Sequence, residues 1–426
     1  MRHRRGWLSL SVGMLLLPAV ALTAVAADAQ APRWRGDPMN LVVVVEAGDD
    51  HVSLVDGERF ERIHRFASRP ALRGEPKFSP DGRFAYFASL DGWITRYDLW
   101  TQAVAAEVRA GTVLQDIAIS SDGLWLLVGN QMPQTVVLFD AGLNTVKRWA
   151  AATRDGKAGS RVAAVADAPA RQAFVVALQD IAELWLISYD PKAEDIYEGL
   201  VHDFRMGEGL PIRGFHNVKR SLLAEPLHDL GFDVGDIHAI GNARARDGAA
   251  VQAQVVNLDV RRRVATLPST GTPQPGAAIS LVWNGANVLA MRNREDGAID
   301  VIDMKSWRHI KTIATAGPGS FLRSHPGSRH AWADATSAGR VNDTLTLIDK
   351  TTLEAVAQIR QAGHPLSHVE FSRNGRHALV SQAGAGGALL VYDTATLKEI
   401  KRLPMNRPVG AYNVGNRVAR PPGAPR

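Results

Sequence analysis

The sequence predicts an all-β protein, an eight-bladed β-propeller closed by pairing of the C-terminal strand with the first blade. Three observations predict it: one short phrase recurs eight times, its period is propeller-like, and the two chain ends complement each other. The phrase is an apolar alternating run, an Asp, a few turn residues and a second apolar-polar strand. Its copies are Val52–Asp56, Ile94–Asp98, Val136–Asp140, Leu184–Asp190, Val255–Asp259, Ile299–Asp303, Leu345–Asp349 and Leu389–Asp393. Their aspartates stand 42, 42, 50, 69, 44, 46 and 44 residues apart. A second phrase lies upstream of many copies: Phe78-Ser-Pro-Asp-Gly82-Arg83, Ile119-Ser-Ser-Asp-Gly123, His325-Pro-Gly-Ser-Arg329 and Phe371-Ser-Arg-Asn-Gly375-Arg376. These are tight turns, with Pro fixing φ and Gly or Asn tolerating positive φ. Each blade thus reads as inner strand, turn, second strand, third strand ending in Asp, and outer strand. The eight aspartates are expected as turn-formers, because Asp bonds its own backbone after a strand.

Leu41–Glu46 begins the first blade at its second strand, and Pro408–Val414 follows the last outer strand with nothing left to pair with. The C-terminal strand is therefore expected to supply the first blade's inner strand, which removes free sheet edges. Residues 28–40 read as a linker, 41–416 as the propeller, and 417–426, rich in Pro and Arg, as a disordered tail. The irregular interval is the insertion 191–226, which contains Arg205, Arg213, His216, Lys219 and Arg220. Two readings stay open for it, a solvated loop and a short helix or lid over one end of the propeller.

Residues 1–27 read as a signal peptide: a basic start (Arg2, His3, Arg4, Arg5), an apolar run from Trp7 to Val25, and small residues at Ala24, Ala26 and Ala27. Arg4-Arg5-Gly6-Trp7-Leu8 also approximates a twin-arginine signal, so general secretion and twin-arginine export both stay open. No second apolar stretch approaches the roughly 20 residues that span a bilayer, and a periplasmic location is expected. The chain has no cysteine, which excludes disulfides, thiolate chemistry, iron–sulfur clusters and a covalently attached c-type haem. Hydrophobic residues at 46% and charged ones at 22% are ordinary globular composition. The formal charge of +6 includes arginines of the removable segment, so nucleic-acid binding draws little support from it.

Inner strands line a propeller's channel, and they are expected at Gly74–Ser79, Val113–Ile119, Arg161–Val165, Pro226–Leu230, Gly276–Val282, Gly319–Ser324, Leu366–Phe371 and Pro408–Val414. Their polar residues are Arg161, His228 with Asp229, Arg323 with the adjoining His325, and His368 with Glu370. Arg161 and Arg323 suit the carboxylates of a large cofactor, since a guanidinium pairs with them bidentately and keeps its charge when partly buried. Pairing of either with an inner-strand carboxylate such as Glu370 is the competing reading. Neutral histidines on separate inner strands (His228, His325, His368) suit the faces of a planar cofactor, as axial ligand or proton donor. His364-x-x-x-His368 is not a metal pair, because Pro365 opposes a helix and a strand separates the two by about 13 Å. No metal ligand set is assigned. A glycine-rich phosphate loop and a Gly-x-Ser-x-Gly elbow are both absent.

Several phrases in order resemble the haem-d1 propeller of the cytochrome cd1 nitrite reductase family, including the dihydro-haem d1 dehydrogenase and the periplasmic d1-haem biosynthesis protein. They are Ser79–Phe84 with Asp91-Gly92 and Tyr97-Asp98-Leu99-Trp100, Arg161–Val165, Leu227-His228-Asp229, Thr272-Pro273-Gln274-Pro275-Gly276, His325-Pro326 with Asp334-Ala335-Thr336, Val391-Tyr392-Asp393 and Pro408–Val414. The resemblance implies haem d1 or a related tetrapyrrole as cofactor, with Arg161 on a haem carboxylate and His228 and His325 near the ring. With the inner-strand reading, His325 and His368 are the candidate catalytic positions, and Arg323 joins Arg161 and His228 as a candidate cofactor contact. The chain departs from the reductases at the proximal histidine position, where Arg73-Gly74-Glu75 stands, at Gln115 for a channel arginine, and at Gln274 and Trp283 for two histidines. The function implied is d1-haem maturation or transfer, or electron transfer with a separate c-type cytochrome, with d1-haem biogenesis proteins as partners. A cofactor-free scaffold propeller and a nitrite-reductase-like oxidoreductase are the alternatives.

Overall fold

A computed structural model describes residues 34–197, 211–244, 251–267, 269, 271–335, 342–384 and 386–418. The described chain forms eight four-stranded antiparallel sheets around one axis, each running from inner to outer strand. The inner strands of blades 1 to 8 are Pro408–Asn413, Lys77–Phe78, Val113–Ile119, Val162–Ala168, His228–Phe232, Pro273–Trp283, Leu322–Arg323 and Leu366–Phe371. All eight lie within or across the stretches expected of them. In blades 2 and 7 they are only two residues long: Pro76, which has no amide to donate, stands directly ahead of the first, and ahead of the second the Ser320 and Phe321 amides are given to Asp334 Oδ1.

Second and third strands are buried on both faces, since each blade is sandwiched between two others. In Leu41–Glu46, Leu41, Val43 and Val45 pack with Phe78 and Phe87 of blade 2, and Val42 and Val44 pack with Leu379 and Leu389 of blade 8. A central strand therefore reads as a continuous apolar run. Outer strands such as Glu354–Arg360 alternate between exposed and half-buried residues, because one face meets water.

The ring closes as expected. Val42, Val43, Val44 and Val45 pair with Asn413, Tyr412, Ala411 and Gly410. Within the turns, Ser79 donates to Asp81, the Arg83 amide donates to Asp81 Oδ1, and Gly82 sits at φ +68°. The same device recurs at Ser120-Asp122-Gly123 and Ser372-Asn374-Gly375.

Turn-forming holds for the repeat aspartates: Asp56, Asp98, Asp140, Asp190, Asp303, Asp349 and Asp393 each accept amides from the residues that follow. Blade 5 differs. There Asn257 accepts the amides of Asp259 and Val260, while Asp259 itself pairs with Arg171 at 2.8 Å.

The insertion is displaced from its expected bounds. Val218–Leu222 is the outer strand of blade 4, paired with Glu183–Ser188, so Lys219 and Arg220 lie on the blade's periphery and not over the channel. The described flanks are tied by bridges Ile196↔Ile212 and Ser188↔Phe215, and His216 packs on Trp125 of blade 3. Arg205 lies outside the described residues, as do the signal peptide and residues 419–426. Of the segment read as linker, Trp34 and Met39 pack on the core of blades 1 and 2. Arg417, assigned to a disordered tail, instead ends the short helix Val414–Arg417.

Candidate functional site

The inner strands are bulged where they meet the channel, with register shifts at Leu114/Asp116, Val162/Ala164, His228/Gly231 and Ser367/Val369. A bulge frees amides from the ladder and re-aims side chains, and acidic residues take up the freed donors. Asp116 accepts from the Ile117 amide at 2.8 Å and, across the blade boundary, from Val165 at 3.2 Å. Asp229, at φ +66°, accepts from Leu230 at 3.0 Å and from Gly276 of the next blade at 2.9 Å. A Cβ on Gly276 would stand 2.0 Å from Asp229 Oδ1, so only glycine admits this carboxylate. Burial pushes both carboxyls above the ordinary carboxylate range, and the backbone amides offset only part of it.

These two residues line one side of a channel cavity of about 570 Å³, together with Glu75, Lys77, Asp167, Ser320, Phe321, Arg323 and Arg417. Opposite them, charged groups from blades 2, 7 and 8 and the C-terminal helix converge. Glu75 meets Arg323 and, at 3.0 Å, Arg417. Arg417 Nε donates to Glu370 at 2.5 Å, and Glu370 also accepts the Phe371 amide at 2.8 Å. Burial works against the Glu75 carboxylate, but Arg417 and then Arg323 outweigh it and hold Glu75 well below the ordinary range.

His368 lies behind this cluster, 0% exposed at φ +39°, with Phe321 and Tyr412 each 4.7 Å from its ring centre. Its Nδ1 accepts the Ala411 amide at 3.2 Å, which assigns the proton of the neutral ring to Nε2, 4.0 Å from Glu75. Burial, with Arg323 and Arg417 close by, keeps the ring neutral far below its usual range.

The five residues singled out from sequence are divided among three places. Arg323 and His368 meet around Glu75. Arg161 and His228 flank Asp180: the Arg161 guanidinium, 46% exposed, binds Asp180 bidentately at 2.6 and 3.0 Å, and His228 helps hold the Asp180 carboxyl low after Arg161. His325 sits in the turn after its strand, where Nδ1 accepts the Gly327 amide at 2.9 Å and the ring packs 5.8 Å from Phe371. Only Arg323 of the five lines the cavity. Both arginines have carboxylate partners, Asp180 and Glu75, where Glu370 was the expected competitor.

Gln115 is fixed by Arg73 and Gln131, each at 2.7 Å. Gln274, its amide oriented by its partners, meets Arg294 and the Gly319 carbonyl at 3.1 Å. Among the described residues no group of three or more His, Asp or Glu is arranged to hold a metal.

Sequence reasoning missed Glu75, Lys77, Asp116 and Arg417. A signal existed for Asp116, an acid inside the apolar strand Val113–Ile119. Glu75 and Lys77 carry only the two-residue spacing that points both to one face.

The cytochrome D1 heme domain family matches residues 36–417. A dihydro-heme d1 dehydrogenase of Pseudomonas aeruginosa is 46% identical over 389 residues, covering 91% of this chain and 73% of that protein. Protein NirF of Stutzerimonas stutzeri is 28% identical, covering 93% and 96%. The solved dihydro-heme d1 dehydrogenase NirN in complex with DHE superposes with a TM-score of 0.83 at 45% identity, over 91% of this chain and 78% of that one. With one family matched from before the first strand to the end of the C-terminal helix, the chain belongs to the cytochrome d1 haem domain family.

Proposed function

We propose that this propeller binds haem d1 or its dihydro precursor in the channel cavity and acts as a dehydrogenase in d1-haem maturation. The observation that supports this most is the 46%-identical relative of that name, with the same fold solved in complex with DHE. The cavity, about 570 Å³, lies within the roughly 300–1,000 Å³ of small-molecule sites. Its lining suits a planar group bearing carboxylates, with Lys77, Arg323 and Arg417 as cations and Phe321 beside them.

Dehydrogenation takes two electrons and two protons from the dihydro compound. Asp116 and Asp229, whose carboxyls burial pushes up against the pull of their backbone amides, stand where a carboxyl can exchange protons with a ligand or with channel water. Neutral His368 buttresses the opposite wall, and Glu75 keeps Arg323 and Arg417 fixed toward the cavity. A tetrapyrrole held beside Lys77, Phe321, Arg323 and Arg417 would supply the redox chemistry that this chain's own side chains lack. Because the chain has no cysteine for an attached haem, we assign onward transfer of the electrons to a separate c-type cytochrome. No helix of the described residues is long and apolar enough to cross a membrane. The apolar N-terminal run supports export to the periplasm, which cell fractionation with and without residues 1–27 tests.

Carriage of haem d1 without turnover is the second reading. The glutamines at 115 and 274 favour it, standing where the reductase resemblance places an arginine and a histidine. The first experiment is an absorbance titration of the protein with haem d1 and with haem b as control, followed by dihydro-haem d1 with an electron acceptor. Saturable binding with conversion to haem d1 supports the dehydrogenase, binding without conversion supports the carrier, and no binding to either compound refutes both.

A further inference from the structure

The cavity contains three cations, and two of them are already neutralised. Arg323 and Arg417 share Glu75, and Arg417 also engages Glu370. That group holds two guanidinium charges against two carboxylates. Lys77 is different. It lines the same cavity on the face shared with Glu75, while its neighbour Phe78 turns into the core. Among the described residues it forms no hydrogen bond and no ion pair. The acids that feel its charge are Glu75, committed to the two arginines, and Asp116, both of whose oxygens accept backbone amides.

An ammonium in a partly enclosed cavity is costly without an anion beside it, and a carboxylate bound there gains a charge-assisted hydrogen bond. We propose that Lys77 is the anchor for a carboxylate of the bound tetrapyrrole. It fixes which edge of the ring turns toward blade 2. Arg161, which the family resemblance suggests for such a contact, is bound to Asp180 by two side-chain hydrogen bonds and by its own amide. Lys77 needs to break no contact to receive a ligand.

This inference rests on the tetrapyrrole reading, and the experiment separates the two. Wild type, Lys77→Gln and Lys77→Arg are titrated by absorbance with haem d1 and with haem d1 whose carboxylates are methyl-esterified, and each variant's Tm is recorded. Lys77→Gln should weaken binding of the free acid by about 10- to 100-fold. Lys77→Arg should recover most of it, and the ester should bind wild type and Lys77→Gln alike. If Lys77→Gln binds the free acid within about twofold of wild type, the anchor is wrong and the binding site stands. If acid and ester are lost together with a lowered Tm, Lys77 only balances channel charge, which also overturns the anchor. Failure of wild type to bind haem d1 removes the tetrapyrrole reading and this inference with it.

Discussion

Glu75 carries the charge balance of three blades, since it faces Arg323 of blade 7, Arg417 of the C-terminal helix and, at 4.0 Å, His368 of blade 8. Glu75→Gln takes from Arg323 its carboxylate partner and leaves Arg417 with Glu370 alone. The expected loss is about 3 kcal/mol, at the lower end for breaking a buried pair because Glu75 is 31% exposed to the channel; urea denaturation checks it. The pH dependence runs in one direction. Glu75, held below its unfolded value, contributes stability that is complete above about pH 4.5 and lost as pH falls toward its folded value. His216, packed between Phe215 and Trp125, is lowered to about 4 by burial and then by Lys147. The unfolded chain takes up this proton below about pH 6.5 and the folded chain does not, so stability falls between those values. His216→Gln should flatten that part of the pH–stability curve by roughly 2 kcal/mol relative to wild type. Equal slopes for the two proteins would show that the ring titrates normally in the folded state.

At the scale of the element, the blade's grammar was readable because a turn needs the same chemistry each time it recurs. Asp or Asn two residues before a free amide closes the hairpin, and Gly or Asn takes the positive φ. Blade 5 shows the limit of that reading. Its repeat Asp is Asp259, but the oxygen that caps the turn belongs to Asn257, two positions earlier. Asn257→Ala should therefore cost about 1 kcal/mol, whereas Asp259→Asn should cost less than about 0.5 kcal/mol, since its ion pair with Arg171 is exposed. Thermal denaturation of the two variants decides which residue caps. The inner strands were legible for the same reason of recurrence, and so was the insertion's existence, though not the strand hidden at its end. The site was less legible. Glu75 and Arg417 are 342 residues apart in sequence, and nothing local announces a pair that only a closed ring creates. Histidines drew attention as ligands, yet His325 serves a turn and His368 is sealed between two aromatic rings.

The whole molecule depends on a single antiparallel pairing, Val42–Glu46 with Pro408–Asn413. Removing residues from 408 onward deletes the inner strand of blade 1 and also Arg417, the partner of Glu75 and Glu370. The truncated chain should fail to unfold cooperatively and should self-associate through its open edges, as size-exclusion chromatography with calorimetry would show. An unaltered monomer with the wild-type Tm would mean that seven complete blades suffice. The seam also sets a schedule. Leu41–Glu46 of blade 1 is made more than 350 residues before Pro408–Asn413, the inner strand that pairs with it. At about 5–20 residues per second, tens of seconds separate the first three strands of blade 1 from the fourth. Until Pro408–Asn413 is in place the arc is a spiral with two sticky ends, and only that strand makes it a vessel able to enclose a ligand.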